Sequence, residues 1–275
     1  SLLRSGPPLK PGAEFFQRGD QPMPVIGTTY MAGRVHRQFL LQPNPALWRR
    51  DFAAMAEAGI NFVRTGIWTG YEQVMQEPGI VREDILRAFE AYLHAAREHS
   101  IAVQFCFFAF QPEVFGRGNP YLDPEMRARQ KEFIAAFVRR FRDVPDLSWD
   151  LINEPSQFDP RHLFRQIPRY DEYEQHAWNR WLERRYRSYE SLLAAWNATP
   201  EEAGSWGNLR LPTAAELTYR QRWQGRKPLI ANDWHRFAQE IFADWTQEMV
   251  ATIRACGSQQ MVTVGQDEGA VDGRP

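Results

Sequence analysis

The chain has 275 residues, of which 43% are hydrophobic and 24% are charged. These values are typical of a globular protein with one large or two small domains. The formal net charge of −1 leaves no excess of positive charge to meet phosphates, so we expect no nucleic-acid partner. No stretch of the sequence is long and apolar enough to span a membrane, and we expect no membrane partner either.

Cysteine and histidine usage predicts no disulfide framework and no metal site. Cys106 and Cys256 are far apart, and the six histidines show no ligand spacing. Cys106 lies in the apolar run 103–108, which predicts a buried thiol. The first residues contain no apolar core of a signal peptide. Together with the lack of a disulfide pattern this favours the cytoplasm, although a processed start would look the same and leaves the compartment open.

The first part of the chain alternates predicted strands with predicted helices. Residues 1–23 are rich in Pro, Gly and charge and are predicted to form an extended lead-in to a domain covering 24–275. Residues 101–108 are apolar almost without alternation, which indicates a strand buried on both faces, as in parallel sheets. The predicted elements are a strand at 24–30, a helix at 45–58, a strand at 60–66, a helix at 83–99, a strand at 101–108, a helix at 123–141 and a strand at 147–153.

The regular alternation of strands and helices stops after the fourth strand. Residues 156–230 are predicted to form a long excursion with a Trp-rich helix, followed by a helix at 233–255 and a fifth strand at 260–265. Strand–helix alternation predicts a parallel α/β fold. No Gly-rich phosphate turn follows the first strand, and polar groups end several strands, so an (β/α)₈ TIM barrel is favoured over an open nucleotide-binding sheet. Only strands 1–5 of such a barrel are present, so either the chain is part of a longer protein or the barrel interpretation is wrong.

The fourth strand ends in Asn153-Glu154-Pro155. A strand that runs directly into this tripeptide projects an amide and a carboxylate from its C-terminal end. In an α/β barrel that end carries the catalytic groups. A polar strand cap with a proline that stops pairing would have the same sequence.

These residues resemble the retaining glycoside hydrolases of clan A, which are (β/α)₈ barrels with Asn-Glu at the end of the fourth strand. A second resemblance, to family 42 β-galactosidases, covers the excursion and the helix after it. Family 42 usually has Asn-Glu-Tyr, whereas the Asn-Glu-Pro of this chain is similar to families 2 and 5, and Arg187-Ser188 replaces the family's Gly-Thr. The stretches that carry the second resemblance are Trp181-Leu-Glu-Arg-Arg-Tyr186, Ser191-Leu-Leu-Ala-Ala-Trp-Asn197, Trp206, Leu211-Pro212 and Asp233-Trp-His-Arg-Phe237.

The resemblance implies a role for each polar group at the strand ends. Glu154 would be the acid/base, which protonates the leaving oxygen and later activates water. Asn153 would hydrogen-bond the sugar 2-hydroxyl. Arg64, at the end of the second strand, would hold the nucleophile carboxylate ionised. Independently of the resemblance, an arginine in an apolar strand needs an acidic partner. A salt bridge with a purely structural role would meet this need equally well.

Aromatic side chains just past the strand ends are candidates for the floor of a sugar subsite. They are Tyr30, Trp68 and Phe110, and core packing is the alternative for each. An aromatic content of 13%, with ten tryptophans, fits a carbohydrate site as well.

The nucleophile is the missing residue. In clan A it ends the seventh strand, so we expect it outside these 275 residues. Asp267 and Glu268 follow the fifth strand and would line the cleft or cap the strand.

The sequence therefore predicts a retaining β-glycosidase for β-galactosides or for β-mannosides and β-glucosides. It would need no cofactor, and its partners would be a carbohydrate substrate and the remaining C-terminal part of the barrel. Two alternatives stay open. The first is a barrel that binds carbohydrate without catalysis, and the second is an unrelated parallel α/β enzyme.

Overall fold

The computed structural model describes residues 2–68, 71–114, 118–156, 167–225 and 227–265. The chain divides into two compact units. Unit 1 consists of Ser1–Gly116, Ala128–Asn153 and Glu248–Gly265, and unit 2 consists of Arg117–Arg127, Glu154–Gln247 and Gln266–Pro275.

Unit 1 begins with a small antiparallel sheet within the predicted lead-in. After a 3-10 helix (Leu2–Arg4), three short strands pair in the order β1 (Leu9–Pro11), β2 (Phe16–Arg18) and β3 (Gln21–Met23). Asp146 is nearly buried and forms ion pairs with Arg18, at 2.9 Å, and with Arg97. The N–H of Leu9 also donates to the carbonyl of Pro145 at 2.8 Å. These contacts hold the lead-in against Pro145 and Asp146, which directly precede the strand Leu147–Asn153.

The main strands and helices up to residue 153 lie close to their predicted positions, and three short elements between residues 71 and 81 were not predicted. Asn44 caps the first helix by accepting a hydrogen bond from the N–H of Leu47 at 3.0 Å, and Pro45 occupies the first turn. A second 3-10 helix covers Gly33–Val35. The elements in chain order are β4 (Gly27–Thr29), α1 (Pro45–Glu57), β5 (Phe62–Gly66), α2 (Tyr71–Val74), β6 (Met75–Glu77), β7 (Ile80–Val81), α3 (Glu83–Glu98), β8 (Ala102–Ala109), α4 (Pro124–Phe141) and β9 (Leu147–Asn153).

The predicted excursion is mostly helical, and a long helix leads from it to the last strand. Ser188 and Thr199 cap helices α6 and α7 with their hydroxyls. The elements are α5 (Glu172–Tyr186), α6 (Tyr189–Trp196), α7 (Pro200–Ala203), β10 (Gly204–Ser205), β11 (Asn208–Leu209), α8 (Tyr219–Gln224), α9 (Pro228–Ala255) and β12 (Val262–Thr263).

Five strands form one parallel sheet in the order β12-β9-β8-β5-β4. Each of the five is one of the predicted strands, and helices separate them along the chain, so the predicted parallel α/β fold is confirmed. The short pairs β6–β7 and β10–β11 are antiparallel hairpins outside this sheet. No helix in the described parts of the chain has the length and apolar character needed to cross a membrane.

Aromatic rings fill the space between the sheet and its helices in unit 1. Tyr92 of α3 is fully buried and contacts five other rings among the described residues, including those of Phe52 and Trp48 of α1. Phe105 of β8 packs against Phe89 of α3 at 4.3 Å and against Phe137 of α4 at 5.1 Å between ring centroids. The apolar strand 101–108 is thus buried as predicted, because helices cover the face that carries Phe105.

The tryptophans serve mainly as core residues. Seven of the ten belong to unit 2, where Trp178 and Trp181 stack at 5.7 Å and Trp178 also contacts Trp196 and Trp234. Burial in the core explains the tryptophan content without a carbohydrate site, which the composition had suggested. Among the tryptophans whose burial the structure describes, the buried ones are Trp48, Trp68, Trp149, Trp178, Trp181, Trp196, Trp234 and Trp245.

Candidate active site

Three neighbouring strands bring polar groups to one edge of the sheet. Arg64 of β5 is opposite Gln104 of β8. Further along β8, Cys106 is opposite Asp150 of β9 and Ala109 is opposite Asn153 of β9. Because parallel strands all end at the same edge, Arg64, Asp150 and Asn153 approach each other although 86 and 89 residues separate the first from the other two. This is the edge at which the sequence predicted a site.

The side-chain alternation of β8 is interrupted just before this edge. Phe107 and Phe108 are consecutive, yet both pack against helix α4, Phe107 against Phe137 and Phe108 against Phe133. In a regular strand only one of two consecutive side chains would face the helices. The irregularity leaves Ala109 in one apolar cluster with Cys106, three positions earlier. Asn153 pairs with Ala109 and Asp150 pairs with Cys106, and both side chains reach the guanidinium of Arg64.

Arg64 has the acidic partner that the sequence required, and it is Asp150. The Nε and Nη2 atoms of Arg64 donate to Oδ2 of Asp150 at 2.9 and 2.5 Å. The Asp150 side chain is 1% exposed and that of Arg64 is 26% exposed. Burial raises the pKa of Asp150 from its ordinary value, while the charge and hydrogen bonds of Arg64 oppose that shift. Sequence reasoning missed Asp150. The signal available was a carboxylate in the middle of the apolar run Trp149-Asp-Leu-Ile152.

Asn153 is held by the same arginine. Nη1 of Arg64 donates to Oδ1 of Asn153 at 2.8 Å. A guanidinium group can only donate, so the carbonyl side of the Asn153 amide must face it. The NH₂ group of Asn153 then points away from Arg64. The backbone of Asn153 is also anchored, because its carbonyl accepts from the N–H of Phe110 at 2.8 Å.

Trp68 covers the other side of Arg64. The guanidinium carbon lies 5.1 Å from the centre of the Trp68 ring, within the range of a cation–π contact. Trp68 is 5% exposed, so a sugar has little of this ring to stack on. Gly66 permits the close packing here, since a Cβ at that position would lie 2.4 Å from the carbonyl oxygen of Cys106. Cys106 itself is fully buried, as predicted, and its thiol donates to the carbonyl of Phe108 at 3.1 Å.

Tyr30 and Phe110 have different surroundings. The Tyr30 ring is buried against Phe52 at 5.6 Å, and its hydroxyl donates to Asp51 at 2.9 Å. These are core contacts, the alternative that the sequence left open. Phe110 follows β8 with a φ of 64°, a left-handed conformation that is uncommon for a bulky residue. It packs at the margin of the cluster formed by Trp68, Cys106 and Ala109.

Glu154 is the first residue of unit 2 and follows Asn153 directly. Its backbone has a φ of 47°. This left-handed conformation costs energy for a residue other than glycine, and such strain is concentrated at functional positions. Its side chain is half-buried. Within the described residues it has neither an ion-pair nor a hydrogen-bond partner that would tie up its carboxylate, in contrast to Asp150.

Two predicted candidates cannot be placed. Asp267 and Glu268 lie outside the described residues. In the part of the chain that the structure describes, no group of three His, Cys, Asp or Glu side chains could hold a metal ion.

Comparison with protein families identifies the chain. The profile of glycoside hydrolase family 42, described as β-galactosidase, matches residues 117–268. The chain belongs to this family. The match includes Asn153 and Glu154, and it includes the excursion on which the resemblance to family 42 had been recognised. No curated protein matches the chain.

Solved structures support the fold. A β-galactosidase from the psychrophilic Marinomonas ef1 aligns with a TM-score of 0.62 and 17% identity, over 87% of this chain and 37% of its own. The endo-1,4-β-mannanase of Rhizomucor miehei aligns with 0.55 and 15%, over 94% and 60%. The β-mannanase of the blue mussel Mytilus edulis aligns with 0.54 and 16%, over 95% and 64%. The parallel sheet is thus part of a TIM barrel, and the chain spans between 37% and 64% of these proteins.

Proposed function

We propose that the natural polypeptide containing this chain is a retaining β-glycosidase that hydrolyses β-galactosides or β-mannosides and β-glucosides. Family 42 is described as β-galactosidase, and two of the structural neighbours are β-mannanases. The observation that carries the proposal is the placement of Asn153-Glu154 at the C-terminal end of the fourth parallel strand. In a TIM barrel this end carries the catalytic groups, and Glu154 stands there in a strained backbone conformation.

Glu154 is assigned the role of acid/base. In the first step it donates its proton to the leaving oxygen while a carboxylate nucleophile attacks the anomeric carbon. In the second step the ionised Glu154 takes a proton from water, which displaces the nucleophile and releases the β-configured sugar. Both steps move protons between carboxyl groups, water and the glycosidic oxygen, so the reaction needs no cofactor.

Asn153 and Arg64 are assigned to substrate binding. With its carbonyl oxygen facing Arg64, Asn153 has its NH₂ group left to donate to the oxygen of the sugar 2-hydroxyl. Hydrogen bonds to this hydroxyl strengthen in the transition state. Arg64 retains N–H groups beyond those used on Asp150 and Asn153, and it has the charge to bind the nucleophile carboxylate. Trp68 packs against the guanidinium of Arg64 and is proposed to support it behind the substrate.

The nucleophile is proposed to lie on a strand beyond the five described here. A retaining site needs two carboxyl groups about 5 Å apart. Asp150 is committed to Arg64 and buried, which makes it a poor nucleophile. Glu268 follows the fifth strand and is proposed to line the cleft.

Replacing Glu154 tests the proposal. Glu154→Ala should lower kcat/KM roughly 10²- to 10⁴-fold on substrates with poor leaving groups. The first step with a dinitrophenyl glycoside should suffer far less, because this leaving group needs no proton. Added azide should restore turnover and give the β-glycosyl azide, which also reports retention of configuration.

A screen of nitrophenyl glycosides with the full natural polypeptide would supply the substrate for this test. Glu172→Ala is the matched control, because Glu172 is an exposed glutamate on α5. Near wild-type rates for Glu154→Ala on a natural disaccharide would eliminate Glu154 as the acid/base. Sugar binding without any hydrolysis would favour the non-catalytic barrel instead.

A further inference from the structure

We infer that Asp150 is a positioning residue that fixes the orientation of the Asn153 amide through Arg64. The inference deepens the proposed function and rests on it. It assigns a role to a buried carboxylate that would not itself touch the substrate. The chain of contacts is Asp150 to Arg64 to Asn153, and all three residues belong to unit 1.

The first step concerns the position of the guanidinium group. Arginine has a flexible side chain, and a single contact would leave its plane free to rotate. Two hydrogen bonds from Nε and Nη2 converge on Oδ2 of Asp150 and hold that edge of the guanidinium group in place. The ring of Trp68 lies under the guanidinium at 5.1 Å and limits its movement further.

The second step concerns the amide. An asparagine side chain can present either its oxygen or its NH₂ group to a neighbour, and the two choices differ in shape very little. Nη1 of Arg64, held in place by Asp150, donates at 2.8 Å and accepts nothing, so it selects the oxygen. The NH₂ group is thereby directed toward the substrate side. Without this selection the amide could rotate and meet the 2-hydroxyl with the wrong group.

The third step concerns charge. Asp150 neutralises Arg64, so the pair adds little net charge to the site. If Asp150 became neutral, Arg64 would keep its charge but lose its fixed partner, and it would be free to turn toward other acceptors. The orientation of Asn153 would then depend on one hydrogen bond from a mobile group.

The test compares two substrates that differ at a single hydroxyl. We would measure kcat/KM for the best nitrophenyl β-glycoside and for its 2-deoxy analogue, using the full natural polypeptide. Asp150→Asn should reduce kcat/KM for the 2-hydroxy substrate roughly 10- to 100-fold, as expected for a misplaced transition-state contact. On the 2-deoxy substrate the reduction should be less than about threefold, because Asn153 has no hydroxyl to bind there. Equal losses on both substrates, or no loss on either, would overturn the inference.

Asp146→Asn is the matched control. Asp146 is also a nearly buried aspartate that pairs with arginines, but it precedes β9 and lies at the opposite end of the strand. Its replacement should lower stability without any difference between the two substrates. A similar substrate dependence in this variant would show that general loosening of the sheet, rather than Asn153, causes the effect.

A second variant covers the case in which Asp150→Asn does not fold. Asp150→Glu leaves Arg64 unchanged and keeps a carboxylate to pair with its charge, so no buried charge loses its partner. Its longer side chain displaces the guanidinium from the position that orients Asn153, so the variant should show a selective loss on the 2-hydroxy substrate that is smaller than that of Asp150→Asn. Glu154→Ala in the same assay separates the two proposals. If that variant is fully active while Asp150→Asn shows the selective loss, the acid/base assignment fails and the positioning role of Asp150 stands.

Discussion

At the scale of single residues, the buried carboxylates Asp150 and Glu174 differ in their partners, although burial raises the pKa of both. Asp150 keeps an arginine partner. Glu174, in the first turn of α5, is completely buried and has no ion pair within the described residues. Its Oε2 accepts from the N–H of Tyr170 at 2.9 Å, while Oε1 has no hydrogen-bond partner in the described part of the chain. Burial is the main cause that raises the pKa of Glu174 from 4.5 to about 8.

This pKa predicts that Glu174→Gln stabilises the protein at alkaline pH. Between pH 4.5 and 8 the unfolded chain has lost the proton that folded Glu174 retains, so stability falls as the pH rises through this window. Glutamine cannot ionise and keeps an oxygen for the N–H of Tyr170. The variant should therefore gain roughly 1–3 kcal/mol over the wild type at pH 8 and nothing below about pH 4.5.

Thermal unfolding of both proteins at several pH values would measure this difference. Glu172→Gln is the control, because Glu172 lies in the same helical turn but is exposed. A gain that is the same at every pH would mean that Glu174 does not titrate in this range.

At the scale of helices and strands, the stretch Asp233-Trp-His-Arg-Phe237 has a structural role in unit 2. Asp233 of α9 is 1% exposed and accepts from the hydroxyl of Tyr186 at 2.6 Å, from Nε1 of Trp196 at 2.8 Å and from Nε of Arg185 at 2.8 Å. One carboxylate thus joins three helices, since Arg185 and Tyr186 belong to α5 and Trp196 ends α6. It satisfies indole and phenol groups that would otherwise be buried without a partner.

We expect Asp233→Asn to destabilise the protein by roughly 2–3 kcal/mol. The amide loses the charge that pairs with Arg185, and its NH₂ group faces donors that need an acceptor. Urea denaturation followed by circular dichroism would measure the loss. Asp244→Asn, at an exposed position of the same helix, should have little effect. Equal stability of the wild type and Asp233→Asn would show that the three donors find other acceptors.

The strands and helices of unit 1 could be predicted because each depends on local patterns. Apolar runs predicted the five strands to within a few residues, and a helical spacing of apolar residues predicted the helix at 45–58 that the structure shows as α1. The partner of Arg64 could not be predicted, because Asp150 is 86 residues away and a sequence does not give the register between strands. The irregularity at Phe107-Phe108 had no signal either, since every residue in that run is apolar. The lead-in looked extended because its strands have only three residues each.

At the scale of the whole chain, the two outermost strands of the parallel sheet each pair with a single neighbour among the described residues. Within the described residues β4 pairs only with β5, and β12 pairs only with β9. All three residues of β4 are exposed, and Val25 and Ile26, just before it, are 46% and 57% exposed. Open edges with apolar neighbours promote association between chains.

Residues 1–275 expressed alone should therefore aggregate or, if soluble, fail to hydrolyse any glycoside. Adding in trans a C-terminal segment that supplies the proposed remaining strands of the barrel should then improve solubility or restore activity. Size-exclusion chromatography with light scattering and a nitrophenyl glycoside assay would measure both. If residues 1–275 are monomeric, fold cooperatively and hydrolyse glycosides, the nucleophile lies within them, and Glu268→Gln would be the first variant to examine.

The uneven distribution of tryptophan has a spectroscopic consequence. Trp48, Trp68 and Trp149 are the three in unit 1, and the other seven belong to unit 2. Intrinsic fluorescence therefore reports mainly on unit 2, and Trp149 of β9 and Trp68 beside Arg64 contribute a smaller part from unit 1. An emission change during denaturation would mark mainly the unfolding of unit 2. Protection of the β8 and β9 amides from hydrogen exchange would instead follow the strands, and the two probes would coincide only if the units unfold together.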